Sequence, residues 1–302
     1  MTRSFGLSPA SRGAGPRLRT RLGHACCPPA APSCTAAEPH TDATPSTSSA
    51  PCPHYRSADE THIPIDPLGL YAAGIDASDY VAKVAPVVRR HVPTIGDLLD
   101  IGAGGGQLGG ALRDPAAAWT AVEPAPVMRA RLAALDDGPV VHGCDWQDAA
   151  LARCGFDTVL AANIPAPMTT PAAFLARCRA WARRTIVWIV PAQRGPRGLC
   201  LAACLPPDWH GEDTTPGIDK VLAGLASEDR PDVIDEVAWT FALPVDDLGA
   251  IATHLADRLG FPPDDPRRPA LLDHLDAQLI HGPDGPRLEV EKVSAVLVWR
   301  VA

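Results

Sequence analysis

The stretch Leu98-Leu99-Asp100-Ile101-Gly102-Ala103-Gly104-Gly105-Gly106 constrains the fold more than any other part of the chain. A short apolar run of buried-strand length ends in an acid and then in alternating glycines. Glycine is required where a backbone turns through left-handed conformations or lies close against another group. At the carboxyl end of a parallel strand such a turn opens a crevice for a ligand, and a helix beginning near Gln107 would present free N–H groups to it. A plain strand-to-helix turn needs one glycine or two.

The surrounding pattern supports that placement. Tyr80, Val81, Val84, Val87 and Val88 are spaced as the apolar stripe of a helix that precedes the sheet. Strands are expected at Leu98–Ile101, 120–122, 140–142, 158–162 and 186–190, with helices at 127–135 and 172–182 between them. Alternating strand and helix predicts an α/β fold, a doubly wound and mostly parallel sheet covered on both faces. Beyond Pro191 the pattern loosens, then recovers as a strand at 237–243, helices at 248–259 and 271–279, and a final strand at 293–301.

Residues 1–58 are rich in Ala, Pro, Ser and Arg, carry no periodicity and are expected to be disordered, leaving 59–302 as one domain. Arg3, Arg12, Arg17, Arg19 and Arg21 precede the first acid, Glu38, a bias superficially like that of an organelle transit peptide; a dispensable tail or an upstream start codon is the preferred reading. The net charge of −8 argues against a nucleic-acid clamp or an anionic-membrane surface, both of which need a basic face. The nine cysteines form no matched CxxC pairs, His254, His274 and His281 have no ligand spacing, and no metal is expected. Reduced thiols and a cytoplasmic location are expected.

Glu123 follows the second strand about twenty residues after the glycines, where a carboxylate can accept bonds from both hydroxyls of a ribose. The series Asp100-x-Gly102-x-Gly104-x-Gly106 followed by Glu123 resembles the first motif and following acid of class I, Rossmann-like S-adenosylmethionine-dependent methyltransferases. The resemblance implies a seven-stranded sheet with an antiparallel last strand. It also implies that Asp100, Gly102, Gly104 and Gly106 hold the methionine part of S-adenosylmethionine and Glu123 its ribose. Asp145 matches the acid after strand three that reaches the adenine amino group, and Trp146 the neighbour that packs on the ring. Taken alone, Asp145 reads as a helix N-cap and Trp146 as core.

The family's fourth region ends at Asn163, the leading pocket residue, beside the expected reactive methyl group. Asn163-Ile164-Pro165 departs from the Asn-Pro-Pro-aromatic signature of amino-group methyltransferases in two places, which weighs against base methylation. Methyl transfer needs alignment more than covalent help, so a general base is optional. His210, with Glu212 and Asp213, is the candidate if one is used, and the same cluster reads equally as a solvated loop. Arg194 and Arg197 are placed to hold an anionic group of the substrate, although exposed arginines are more often only solvated. The section 191–286 is expected to supply a substrate lid with the fifth and sixth strands.

The expected reaction is transfer of a methyl group to a nitrogen or oxygen of a small-molecule acceptor. A nucleic-acid or protein methyltransferase would instead show a basic face at the pocket mouth. The rival activity is a nicotinamide-dependent oxidoreductase, because Gly104-x-Gly106-x-x-Gly109 satisfies the dinucleotide pattern. Against it, Gly104 falls three positions after Ile101 and not at the strand end. A binding protein that has lost turnover is the third reading.

Overall fold

The computed structural model describes residues 65–194, 205–210 and 213–301. Five short strands run parallel: β1 (Leu98–Ile101), β2 (Trp119–Val122), β3 (Val140–His142), β4 (Phe156–Ala162) and β5 (Ala182–Pro191). Each is an apolar run closed by a turn, as the sequence predicts. Two longer strands, β6 (Val233–Pro244) and β8 (Gly285–Arg300), and the short β7 (Ile280–Gly282) complete an eight-stranded sheet among the described residues. Its order is β3-β2-β1-β4-β5-β8-β6, with β7 paired to β8. β8 is antiparallel to β5, β6 and β7.

This is the expected α/β class with three corrections. The sheet has eight strands, because Pro283-Asp284 turns β7 back onto β8. The last strand begins at Gly285, eight residues before the expected start. The fifth strand ends at Pro191, so the section that follows contributes β6 and β7.

Helices cover both faces. On one face α2 (Tyr80–His91) buries Tyr80, Val84, Val87 and Val88, the stripe read from the sequence, into a core shared with α3 (Gln107–Leu112) and α7 (Leu248–Arg258). On the other, α5 (Pro171–Trp181) buries Phe174, Leu175, Cys178 and Trp181 beside Trp188 of β5. α4 (Pro126–Ala133) follows β2, α6 (Gly217–Ala223) follows β5, and α8 (Arg267–Asp276) packs on α7. Sequence periodicity misses α1 (Pro67–Ala77), which starts at the Asp66 side-chain cap with proline at its first position. None of the described helices is long and apolar enough to cross a membrane.

The β6–β8 pair outruns the parallel sheet. β5 pairs with Ser294–Arg300 only, whereas β6 continues along β8 as far as Arg287. The surplus lies beyond the carboxyl end of β5, at the edge where a doubly wound sheet keeps its crevice. Trp239 and Phe241 of this surplus pack against α2 and α1. Trp239 meets the Tyr80 ring edge-on at 4.7 Å, and a Cβ on Gly74 of α1 would stand 1.9 Å from Phe241 Cζ. Asp79, at the start of α2, accepts the Thr240 N–H at 2.6 Å.

Candidate active site

All three alternating glycines of the loop after β1 have left-handed backbone: φ is +63° at Gly102, +56° at Gly104 and +83° at Gly106. A side chain at any of them would be strained. Their surroundings differ. A Cβ on Gly102 would stand 2.6 Å from Ile164, so the loop is held closely under the segment that follows β4. A Cβ on Gly106 would collide with Leu132 at 2.7 Å, because this residue starts α3 and packs the loop onto α4. A Cβ on Gly104 would meet nothing within 4 Å. It would project into open space.

Glu123 leaves the end of β2 and fastens the loop. Its two carboxylate oxygens accept the N–H groups of Gly104 and Ala125, each at 2.9 Å. A carboxylate has about four acceptor positions, so roughly half remain for a ligand. Asp100, only 3% exposed, ends β1 beneath the loop, and its Oδ2 has no hydrogen-bond partner. The Trp119 indole lies near without reaching hydrogen-bonding geometry. Burial, with the Glu123 charge adding to it, pushes the Asp100 carboxyl up to about 7.

These groups share one cavity of about 240 Å³. Asp100, Gly102, Gly104, Glu123, Asp145, Trp146 and Asn163, seven residues singled out from the sequence, all reach its wall. Asp145 is exposed at its edge, while Trp146 is buried and meets Phe174 edge-on at 5.0 Å, so it serves the core and the cavity together. Asn163 takes φ +55°, a left-handed conformation that asparagine tolerates, and its N–H is held by the Ile189 carbonyl at 2.9 Å.

The rest of the wall includes residues the motif reading does not reach. Leu68, Tyr71 and Ile75 of α1 form its roof, and the Tyr80 hydroxyl comes in from α2. Asp76 fixes that roof by accepting from Gln107 and from Arg131, each at 2.5 Å. Tyr80 is 3% exposed and its hydroxyl has no hydrogen-bond partner. Burial holds the phenol well above the ordinary tyrosine range; Tyr71 and Asp100 nearby push the same way and the Asn163 side chain opposes them. In the sequence, Tyr80 stands out only as the first member of the α2 stripe.

Other expected site residues lie elsewhere. Gly106 does not reach the cavity wall; its value is in the turn and in packing. Arg194 is exposed and away from the wall, and Arg197 and Glu212 fall outside the described residues. His210 is half-buried but absent from the wall, and its neighbour Trp209 packs with Phe261 and His274. Asp213 is exposed, pairs with Lys220 and accepts the Thr215 N–H at 2.9 Å, bonds that hold its carboxyl well below the usual range. It is a turn residue. No described residue of 191–286 lines the cavity, whereas Leu68, Tyr71, Ala72 and Ile75 of α1 do.

No protein family and no curated protein matches the sequence. Solved structures share part of the chain trace. A protein from work on the conversion of a disulfide bond into a thioacetal group during echinomycin biosynthesis is 16% identical, covering 72% of this chain and 81% of that one, with a TM-score of 0.46. YcgJ from Bacillus subtilis is 13% identical over 72% of this chain and 97% of its own, at 0.42. Geranyl diphosphate C-methyltransferase from Streptomyces coelicolor A3(2), solved with S-adenosyl-L-homocysteine, is 13% identical over 72% and 78%, at 0.40. Likenesses this partial carry no chemistry to the chain, which is read from its own site.

Proposed function

We propose that this chain is an S-adenosylmethionine-dependent methyltransferase acting on a nitrogen or oxygen of a small-molecule acceptor. One observation carries the reading: a single cavity joins the open side of Gly104, the half-used carboxylate of Glu123 and the buried carboxyl of Asp100. A cradle lined by carboxyl groups, with space where a glycine side chain would be, fits a cationic nucleoside-amino acid conjugate. In that arrangement Asp100 and the Gly102–Gly104 backbone hold the amino-acid end and Glu123 the ribose. Asp145, Trp146 and Met128 flank the base.

Bound S-adenosylmethionine supplies a methyl group already activated on a sulfonium. The protein's work is then to align the acceptor with that methyl and to keep water out. Asn163, directly after β4, lines the same cavity as the glycine loop and α1, and in this reading it orients the acceptor. No described histidine, lysine or arginine reaches the wall, so no general base is assigned. The sheet weighs against the nicotinamide reading: antiparallel β8 stands between β5 and β6, where the dinucleotide fold has an all-parallel order.

The test is calorimetric titration with S-adenosylmethionine, S-adenosylhomocysteine and NADH, on the wild-type chain and Glu123→Ala. Saturable binding of both sulfur nucleotides, weakened in the variant, supports the reading. Binding of NADH alone overturns it.

A further inference from the structure

The cofactor groups account for part of the cavity wall and leave the residues of α1 and Tyr80 of α2 without an assigned ligand. The carboxyl-bearing side chains of the wall, Asp100, Glu123 and Asp145, are those assigned to the cofactor, while Leu68 and Ile75 are apolar. The other polar groups are neutral, the Asn163 amide and the Tyr71 and Tyr80 hydroxyls. No cationic side chain of the described residues lines any part of it.

Tyr80 is costly where it stands. A buried hydroxyl without a partner forfeits its hydrogen bonds to water, a penalty of about 1–3 kcal/mol. Phenylalanine would give the same ring and the same edge-on contact with Trp239 without that cost. The residue is also deliberately seated: Trp239 is itself fixed by its indole N–H donating to Ser294 Oγ at 3.0 Å, and Asp79 anchors the preceding backbone to β6. A rigidly held hydroxyl in a residue of the cavity wall, near the Asn163 side chain but completing no hydrogen bond with it, is set to bind a group that enters beside both.

We infer that Tyr80 is a positioning residue for the methyl acceptor, pairing its hydroxyl with Asn163 to hold the polar group of a neutral molecule whose apolar body lies under α1. The inference rests on the methyltransferase reading and adds a substrate class to it. Neutrality is drawn from the wall: an anionic group placed there meets no cationic side chain of the described residues and stands near the Asp100 carboxyl. Arg194, exposed and off the wall, takes no part in this selection.

The experiment has two stages, so that the two readings fail separately. S-adenosylhomocysteine is first titrated into the wild-type chain and Tyr80→Phe; equal saturable binding is expected, because the hydroxyl is not among the groups assigned to the cofactor. Absence of binding to the wild type overturns the methyltransferase reading and this inference with it. Phenol, aniline and benzoate are then titrated at neutral pH into the S-adenosylhomocysteine complex and followed by ligand-observed NMR. Phenol and aniline should bind and benzoate should not. Tyr80→Phe should weaken the neutral probes about fivefold, the worth of one neutral hydrogen bond, and should not lower stability toward urea. Benzoate binding as tightly as phenol, unchanged affinities in Tyr80→Phe, or no binding of the neutral probes overturns the inference. A loss of stability in the variant would mark the hydroxyl as structural and overturn it equally.

Discussion

Asp100→Asn should change how the cofactor-free protein responds to pH. The folded state holds the Asp100 proton up to about pH 7, whereas in the unfolded chain the carboxyl titrates at 3.8. Between those values the folded state binds more protons than the unfolded one, so stability falls as pH rises through the window and levels off above it. At about 1.4 kcal/mol for each tenfold change in proton activity, the full window is worth about 4 kcal/mol. The part between pH 5 and 8 is roughly 2–3 kcal/mol, a large share of a typical stability of about 5–15 kcal/mol. Asparagine keeps the shape and has no proton to lose. Urea unfolding followed by tryptophan fluorescence at pH 5, 6, 7 and 8 should therefore show the variant gaining on the wild type by that amount, with unchanged slopes. Calorimetry in two buffers of different ionisation enthalpy should also show about one proton released when S-adenosylmethionine binds at pH 6, because a cation beside Asp100 favours the charged carboxylate. A stability gap that stays constant across the pH range refutes the assignment of a buried, protonated Asp100.

Glu123→Gln should impair S-adenosylhomocysteine binding nearly as much as Glu123→Ala, tenfold or more by calorimetry, because Gly104 and Ala125 both offer donors and an amide has only one accepting end. Gly104→Ala should fold with a cost of about 1–2 kcal/mol for its left-handed backbone yet lose cofactor binding, since its methyl group fills the cradle. Gly102→Ala should cost more in urea unfolding, its Cβ also pressing on Ile164 at 2.6 Å. Gly74→Ala should cost about 1–3 kcal/mol by overpacking against Phe241 and should make α1 the first site of proteolytic cleavage.

The readable parts of the chain are those where one local pattern fixes the environment. β1 to β5 are short apolar runs between turn signals, and α2 and α5 carry stripes that match their buried faces. β8 shows where this stops. Its first half alternates, with Leu288, Val290 and Lys292 buried on one side, and from Ser294 to Trp299 it is buried continuously. The change falls at Ser294, where pairing with β5 begins. A strand covered on both faces reads as an unbroken apolar run and a one-faced ribbon as alternation, so a search for apolar runs finds only the second half. α1 is harder: Gly69 and Gly74 weigh against a helix, and the reason for Gly74 is Phe241, more than 160 residues away in the chain. The cofactor loop is legible because its glycines act on their own backbone. Tyr80 is not, because its chemistry lies in a missing partner that no sequence pattern displays.

The section after Pro191 affects the site without touching it. Trp239 and Phe241, on the part of β6 that runs past β5, seat Tyr80 and α1, and those two line the cavity. Roof and cofactor loop are also tied directly, through Asp76 to Gln107 on α3 and Arg131 on α4. The roof is thus held from two sides, by apolar packing on the ribbon and by charged bonds over the loop. On the proposed reading, substitutions on β6 that repack Trp239 or Phe241, sharing no bond with the loop, should alter selectivity among acceptors and leave cofactor binding largely unmoved, whereas Asp76→Ala, which unties roof from loop, should move both measures.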